Sequence, residues 1–250
     1  MFRSGLIGLV GLGLIGCLSA AAAGPKPPAI YAPENLVAWC VVPFDAKKRS
    51  PEERAAMLKT LGFKKFAYDW RAEHLPAFER EIEALKKEGI ELTAVWFPAN
   101  LGKEAQALLA GLKKHEIKAQ LWVTMAGGGP AKTPDEQAKK VQDHAAALKP
   151  IADEAAKIGC TVALYNHGGW FGEPENSVAV VKAVNRPNVG IVYNLHHGHD
   201  HLDRLPKALE QMKPHLLAFN LNGMIPEGDK KGKKIIPLGQ GEVDLALLKL

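Results

Sequence analysis

Cysteine is scarce in this chain: there are three in 250 residues, and only Cys40 and Cys160 lie beyond position 23. That excludes a disulfide framework. Their expected places, in a first strand and at the foot of a fifth, lie across a barrel from one another, so two buried thiols are expected. Charge of one sign is also missing. The net charge is +5, and basic residues alternate with acidic ones, as in EREIEALKKE over 79–88. Such runs are solvated helix faces and leave no basic stripe for nucleic acid. No apolar run is long enough for a transmembrane helix. Gly127-Gly128-Gly129 lacks the lysine and spacing of a phosphate-binding P-loop, so a flexible connection is expected there.

What remains is ordinary globular material. The chain is 47% hydrophobic and 24% charged, enough for one sizeable core, and its length suits a single (β/α)8 barrel. Residues 1–23 stand apart as a signal peptide: Arg3 is the positive start, Gly5–Ile15 the apolar segment, and Ala21-Ala22-Ala23 the small-residue cleavage site. Leu14-Ile15-Gly16-Cys17 equally fits a lipoprotein signal that would place a lipid anchor on Cys17. Both imply export, to the periplasm or to a lipid-anchored place at the envelope. Residues 24–34 form a proline-rich lead-in, and 35–250 the folded domain.

From Asn35 the pattern alternates between short apolar runs and helical segments. Strands are expected at Leu36–Val42, Lys65–Trp70, Leu92–Phe97, Lys118–Met125, Thr161–Leu164, Val189–His196 and Leu216–Leu221. Helices start at Ser50-Pro51-Glu52-Glu53 and Thr133-Pro134-Asp135-Glu136, where a hydroxyl cap, a proline and a glutamate mark the first turn. Pro150 should kink or split the fourth helix. Seven β/α units can be counted. The eighth is lacking at the C-terminus, which favours a truncated version of a longer protein.

The strand ends carry the polar residues, and barrels of this kind bind ligands there. Asp69, Trp70, Arg71, Glu73 and His74 follow the second strand. Tyr165, Asn166, His167 and Trp170 follow the fifth, and Asn194, His196, His197, His199 and His201 the sixth. Asn220 and Asn222 close the seventh. Glu73 or His74 offers a general base and Arg71 an anion clamp. Trp70 and Trp170 offer walls for a sugar ring, whereas Trp39 and Trp122 fall within strands and belong to the core.

The motifs YDWRAEH, ALYNHGG, VGIVYNLHH and PLGQGEVD, in this order, resemble the xylose isomerase-like TIM-barrel superfamily, which includes the sugar phosphate isomerases/epimerases and endonuclease IV-type enzymes. The resemblance spans 35–250. It implies a carbohydrate as small-molecule partner, a divalent metal at the strand ends, and proton transfer between neighbouring carbons of a sugar. The carry-over of ligands departs from the family pattern. The family's strand-five glutamate falls at Tyr165, its strand-six aspartate at Asn194, its strand-seven histidine or glutamine at about Asn220, and its last glutamate on the missing strand.

Two readings follow. A metal (Mn, Zn, Ni or Co) has moved to His167, His196 and His199, since His167 and His196 share the inward face by the two-residue period of strands. Alternatively Asn166, Asn194, Asn220, Asn222 and the imidazoles form a neutral surface for a polyol. The leading function is an exported sugar isomerase/epimerase with His167 or His74 as base. A non-catalytic carbohydrate-binding barrel, or a lyase acting on an oxidised glycoside, are the alternatives.

Overall fold

The computed structural model describes residues 32–247. The expected signal peptide, Cys17 and nearly all of the lead-in lie outside the described residues.

Seven short, apolar strands form one parallel sheet: β1 (Val37–Ala38), β2 (Lys65–Tyr68), β3 (Glu91–Phe97), β4 (Gln120–Val123), β5 (Thr161–Tyr165), β6 (Val189–Asn194) and β7 (Leu216–Asn220). Each strand pairs with the next in sequence, so the order is β1 through β7 with β1 and β7 at the edges. Helices alternate with them: α1 (Pro51–Thr60), α2 (Phe78–Lys87), α3 (Lys103–Lys114), α4 (Pro134–Lys157), α5 (Gly169–Gly172), α6 (Pro174–Val184), α7 (Leu205–Met212) and α8 (Glu242–Leu247). This is an incomplete (β/α)8 TIM-type barrel. Among the described residues no helix is long and apolar enough to cross a membrane.

The caps work as their chemistry dictates. The Ser50 hydroxyl accepts the Glu53 N–H while the Glu53 carboxylate accepts the Ser50 N–H, a closed capping box. At α4 the Thr133 hydroxyl accepts the Glu136 N–H, but the Glu136 carboxylate reaches one residue further back, to the Lys132 N–H. Between α1 and α2, the buried Arg54 guanidinium forks onto both Glu81 carboxylate oxygens at 2.9 Å. A buried charge needs such a bidentate partner.

Alternation along the strands makes two cores. One lies between sheet and helices and includes Phe66, Tyr68, Leu121, Leu164 and Ile191. The other fills the concave side, where Ala67, Ala94, Ala163 and Ala218 leave room for large rings. Trp39, Trp96 and Trp122 occupy it with ring centroids 4.7–5.5 Å apart, and Tyr165 closes the group. Large and small inward residues thus complement each other in layers.

Two elements differ from expectation. β1 covers only two residues, because Cys40 adopts a left-handed backbone (φ 53°) and Pro43 enters a 3-10 turn over Val42–Phe44. Cys40 is therefore an exposed position beyond the strand, and only Cys160 is a buried thiol. Pro150 does not split α4, which runs unbroken from Pro134 to Lys157. Both Pro150 and Ala146 are exposed, so the carbonyl that loses its helical donor faces water.

Candidate functional site

At the carboxyl ends of β5 and β6 the hydrogen bonds are nearly saturated. The Asn166 amide copies a backbone peptide: its Nδ2 donates to the Asn194 carbonyl at 3.0 Å, and its Oδ1 accepts the Asn194 N–H at 2.6 Å. It adds one rung to the β5–β6 ladder after the strand has ended. Asn194, itself buried, donates through Nδ2 to the Tyr165 hydroxyl at 2.7 Å. Its Oδ1 accepts from the His196 N–H at 3.1 Å and from Asn220 Nδ2 at 2.8 Å. Burial pushes the Tyr165 phenol well above its ordinary range, so it remains a neutral hydroxyl.

Above this network stand three imidazoles. The His167 and His197 rings lie 4.5 Å apart and those of His196 and His197 4.6 Å apart. Tyr165 stacks 6.1 Å from His167 and meets His197 edge-on at 5.9 Å. Burial, together with the neighbouring His167, His196 and Lys234, lowers His197 to about 4. His196 is lowered too, again by burial first and by Lys234 next, and its Nδ1 is buried without a hydrogen-bond partner. Both are neutral imidazoles at pH 7, each able to accept a proton. From sequence, His197 stands in the run after the sixth strand but outside the metal set. Alternation along a strand running through His196 would send His197 to the opposite face. The strand ends at Asn194, and a 3-10 turn over Leu195–His197 brings both rings together.

The β1–β2 end is built differently. Asp69 follows β2 on the same inward face as Ala67 and is 2% exposed. Its Oδ1 accepts the N–H groups of Val41 and Val42, each at 3.2 Å, which anchors the turn after Cys40. Its Oδ2 is buried with no hydrogen-bond partner. Burial pushes this carboxyl up to about 6 against the pull of those N–H donors, of its own backbone N–H and of Arg71. Although Cys40 is exposed as a residue, the protein around its thiol displaces water, and this, then the Asp69 carboxylate, pushes the thiol up to about 11, so it is not an activated nucleophile.

The other candidates are spread out. His74 and Glu73 sit in a 3-10 turn over Ala72–Ala77, and His74 Nδ1 accepts the Arg71 N–H at 2.9 Å within that turn. Arg71 donates to the Trp70 carbonyl and lies 5.7 Å over the Phe44 ring. Trp70 is half-buried, with Nε1 donating to the Trp96 carbonyl at 2.8 Å. Trp170 is no wall of the strand-end site. Positive φ angles at Gly168 and Gly169 turn the chain outward, and the indole is 3% exposed against α4, stacked on His144 and donating to Gln137. The glycine loop before α4 is held, not loose: Lys140 donates to the Gly127 and Gly129 carbonyls, and a Cβ at Gly127 would meet the Phe171 nitrogen at 2.3 Å. Asn222 donates to the Gly223 carbonyl, and its buried Oδ1 has no partner.

His199 does not join His167 and His196. Its Nε2 lies 2.9 Å from the Lys234 carbonyl and its Nδ1 3.6 Å from the Asp229 carboxylate. The positions where the resemblance sets metal ligands on the fifth, sixth and seventh strands carry a phenol and two amides that bond to one another. Among the described residues no three His, Cys, Asp or Glu side chains converge to hold a metal ion. The residues present therefore do not fit a divalent metal, which needs several free oxygen or imidazole donors.

The chain matches the xylose isomerase-like TIM barrel family model over residues 55–249. No curated protein matches it. Among solved structures it is similar to AsbF of Bacillus anthracis, a probable 3-DHS dehydratase involved in petrobactin synthesis (TM-score 0.64, 14% identity, covering 85% of this chain and 86% of that one). It is also similar to the 3-keto-D-glucoside 4-epimerase YcjR of E. coli (TM-score 0.62, 17% identity, 80% and 81%). A third is the IOLI protein with a binding zinc atom (TM-score 0.61, 18% identity, 80% of each). At these identities the likeness is one of fold. By the family match and the shared architecture, the chain belongs to the xylose isomerase-like TIM barrel family.

Proposed function

We propose that this protein is a carbohydrate-converting enzyme of the isomerase/epimerase kind, which moves a proton next to the carbonyl of a sugar or sugar derivative. The observation that carries the reading is the cluster of His167, His196 and His197 beside Tyr165, at the barrel face where ligands bind. Removing a proton from carbon beside a carbonyl needs a base on the carbon and a donor on the oxygen. His167, the exposed member of the cluster, is the base. The Tyr165 hydroxyl accepts from Asn194, which leaves its own hydrogen for a substrate oxygen. The proton then returns to a neighbouring carbon or to the same one, so nothing is consumed. The lysine-rich segment Asp229–Lys234 brings a cation close to His196 and His197, which favours a developing enolate. No step runs through a metal, since the donor set does not fit one. Export, read from residues 1–23, belongs to the same proposal.

The test is exchange of substrate C–H for C–D in D2O, followed by proton NMR with D-fructose and with 3-keto-glucosides. Exchange that falls at least 100-fold in His167→Ala, with sugar binding retained, is expected for a general base. A second reading, a non-catalytic carbohydrate-binding barrel, is favoured by amides already spent on one another at Asn166 and Asn194. Binding without any exchange would select it. Release of a new fragment would select the lyase.

A further inference from the structure

We infer that Asp69 is a second ligand-binding group of this site, taking a sugar hydroxyl through its free Oδ2 from the β1–β2 side of the barrel. The inference rests on the carbohydrate reading above. A carboxylate oxygen removed from water and left without a donor is costly, and such atoms are uncommon in folded proteins. Asp69 is held in that state by construction. Its Oδ1 is fixed by the Val41 and Val42 N–H groups, which sets the carboxyl plane and points Oδ2 away from both. The backbone of Cys40 takes a left-handed conformation to deliver those two N–H groups.

The surroundings are those of a sugar subsite. Asp69 points inward after Ala67, and the β2–β3 register, Tyr68 opposite Val95, sets it beside Trp96. Trp39, Trp70 and Trp96 are all half-buried, so indole surface stays open next to an acceptor. A sugar presents both surfaces at once, hydroxyl hydrogens at its rim and C–H groups on its faces. One buried acceptor beside flat apolar rings matches that pattern. The imidazole cluster supplies the opposite side: Tyr165 feels the charge of Asp69 and also contacts His167 and His197. A single ring bound over Tyr165 therefore meets imidazoles on one side and a carboxylate on the other.

A hydroxyl donated to Oδ2 favours the ionised carboxyl. Affinity should then weaken as the pH falls below about 6, where Asp69 takes up its proton. The ionisable groups around it are Cys40, Tyr68, Arg71 and Tyr165. Neither the thiol nor the two phenols charge near pH 6, so among these groups the change belongs to Asp69, and Asp69→Asn separates it from the imidazoles across the ring.

The experiment measures xylitol and D-fructose binding by tryptophan fluorescence, on wild type and Asp69→Asn, from pH 5 to pH 8. The amide keeps an acceptor for Val41 and Val42 but replaces the free acceptor with a donor. At pH 8 the variant should bind at least tenfold more weakly and lose the pH dependence. Thermal melting of the unliganded proteins supplies an independent arm. Removing a desolvated, unpartnered charge should raise the variant's melting temperature at pH 8 by about 3 °C. Equal affinity in both proteins overturns the inference alone. A lower melting temperature in the variant also overturns it, because Oδ2 would then have a partner inside the protein. No binding by wild type overturns the carbohydrate reading, and this inference with it.

Discussion

The two ends of the barrel mouth treat polar atoms in opposite ways. At β5–β6, Asn166 and Asn194 consume one another's hydrogen-bonding capacity, and with Tyr165 and Asn220 they form a closed scaffold under the imidazoles. At β1–β2, one carboxyl has one oxygen anchored and the other buried without a partner. Saturated networks position their neighbours, whereas an unsatisfied buried acceptor is a place for something to bind. Three of the amides that suggest a polyol surface from sequence, Asn166, Asn194 and Asn220, are thus supports for the histidines. Asp69 keeps a buried, unpartnered acceptor on the other side, as Asn222 does after β7.

The largest effect should come from breaking the saturated end. Asn194→Ala removes three side-chain hydrogen bonds at a buried position and strands the Tyr165 hydroxyl. It should cost about 3 kcal/mol in urea denaturation, at roughly 1 kcal/mol for each bond lost. A cost below 1 kcal/mol would mean that the network is not closed.

The pH dependence of stability sharpens the comparison, because the two ends have opposite signs. Asp69 has a folded-state pKa raised to about 6 from an ordinary 3.8, so its contribution is fully present below pH 4 and lost as pH rises through about 6. His197 has a folded-state pKa lowered to about 4 from 6.5, so its contribution is present above pH 6.5 and lost as pH falls through about 4. The two partly cancel between pH 4 and pH 6.5. Asp69→Asn should unmask the histidine and give a steeper loss on acidification. His197→Gln should do the reverse and let stability rise. Each change is on the order of 1 kcal/mol once solvent screening is allowed for, and parallel pH profiles in the two variants would contradict it.

The smallest effect concerns metal. Dialysis against EDTA should leave the melting temperature unchanged, and elemental analysis should give well under one equivalent of Mn, Zn, Ni or Co. A stoichiometric metal lost in His167→Ala would show that the imidazoles rearrange around an ion.

Fold order was legible because its signals are local. Ser50-Pro51 and Thr133-Pro134 cap helices wherever they stand, and short apolar runs bounded by glycine make strands. The site was legible only where the chain stays regular. Tyr165 and Asn194, which the resemblance sets at ligand positions, do meet at the ends of strands that persist. Counting in twos failed at His197, where the strand gives way to a 3-10 turn, and at Trp170, where two left-handed glycines redirect the chain. The open oxygen of Asp69 had no signal of its own, since its state depends on backbone amides 27 and 28 residues away.

The ring of indoles inside the barrel has an optical consequence. Trp39, Trp96 and Trp122 stand within 5.5 Å of one another at fixed, steep angles. Chromophores held so close absorb as a coupled unit, and their mutual orientation gives that absorption a handedness. The near-ultraviolet circular dichroism of this protein thus carries a signature of strands β3 and β4 and of the residue after β1, legible without any added probe.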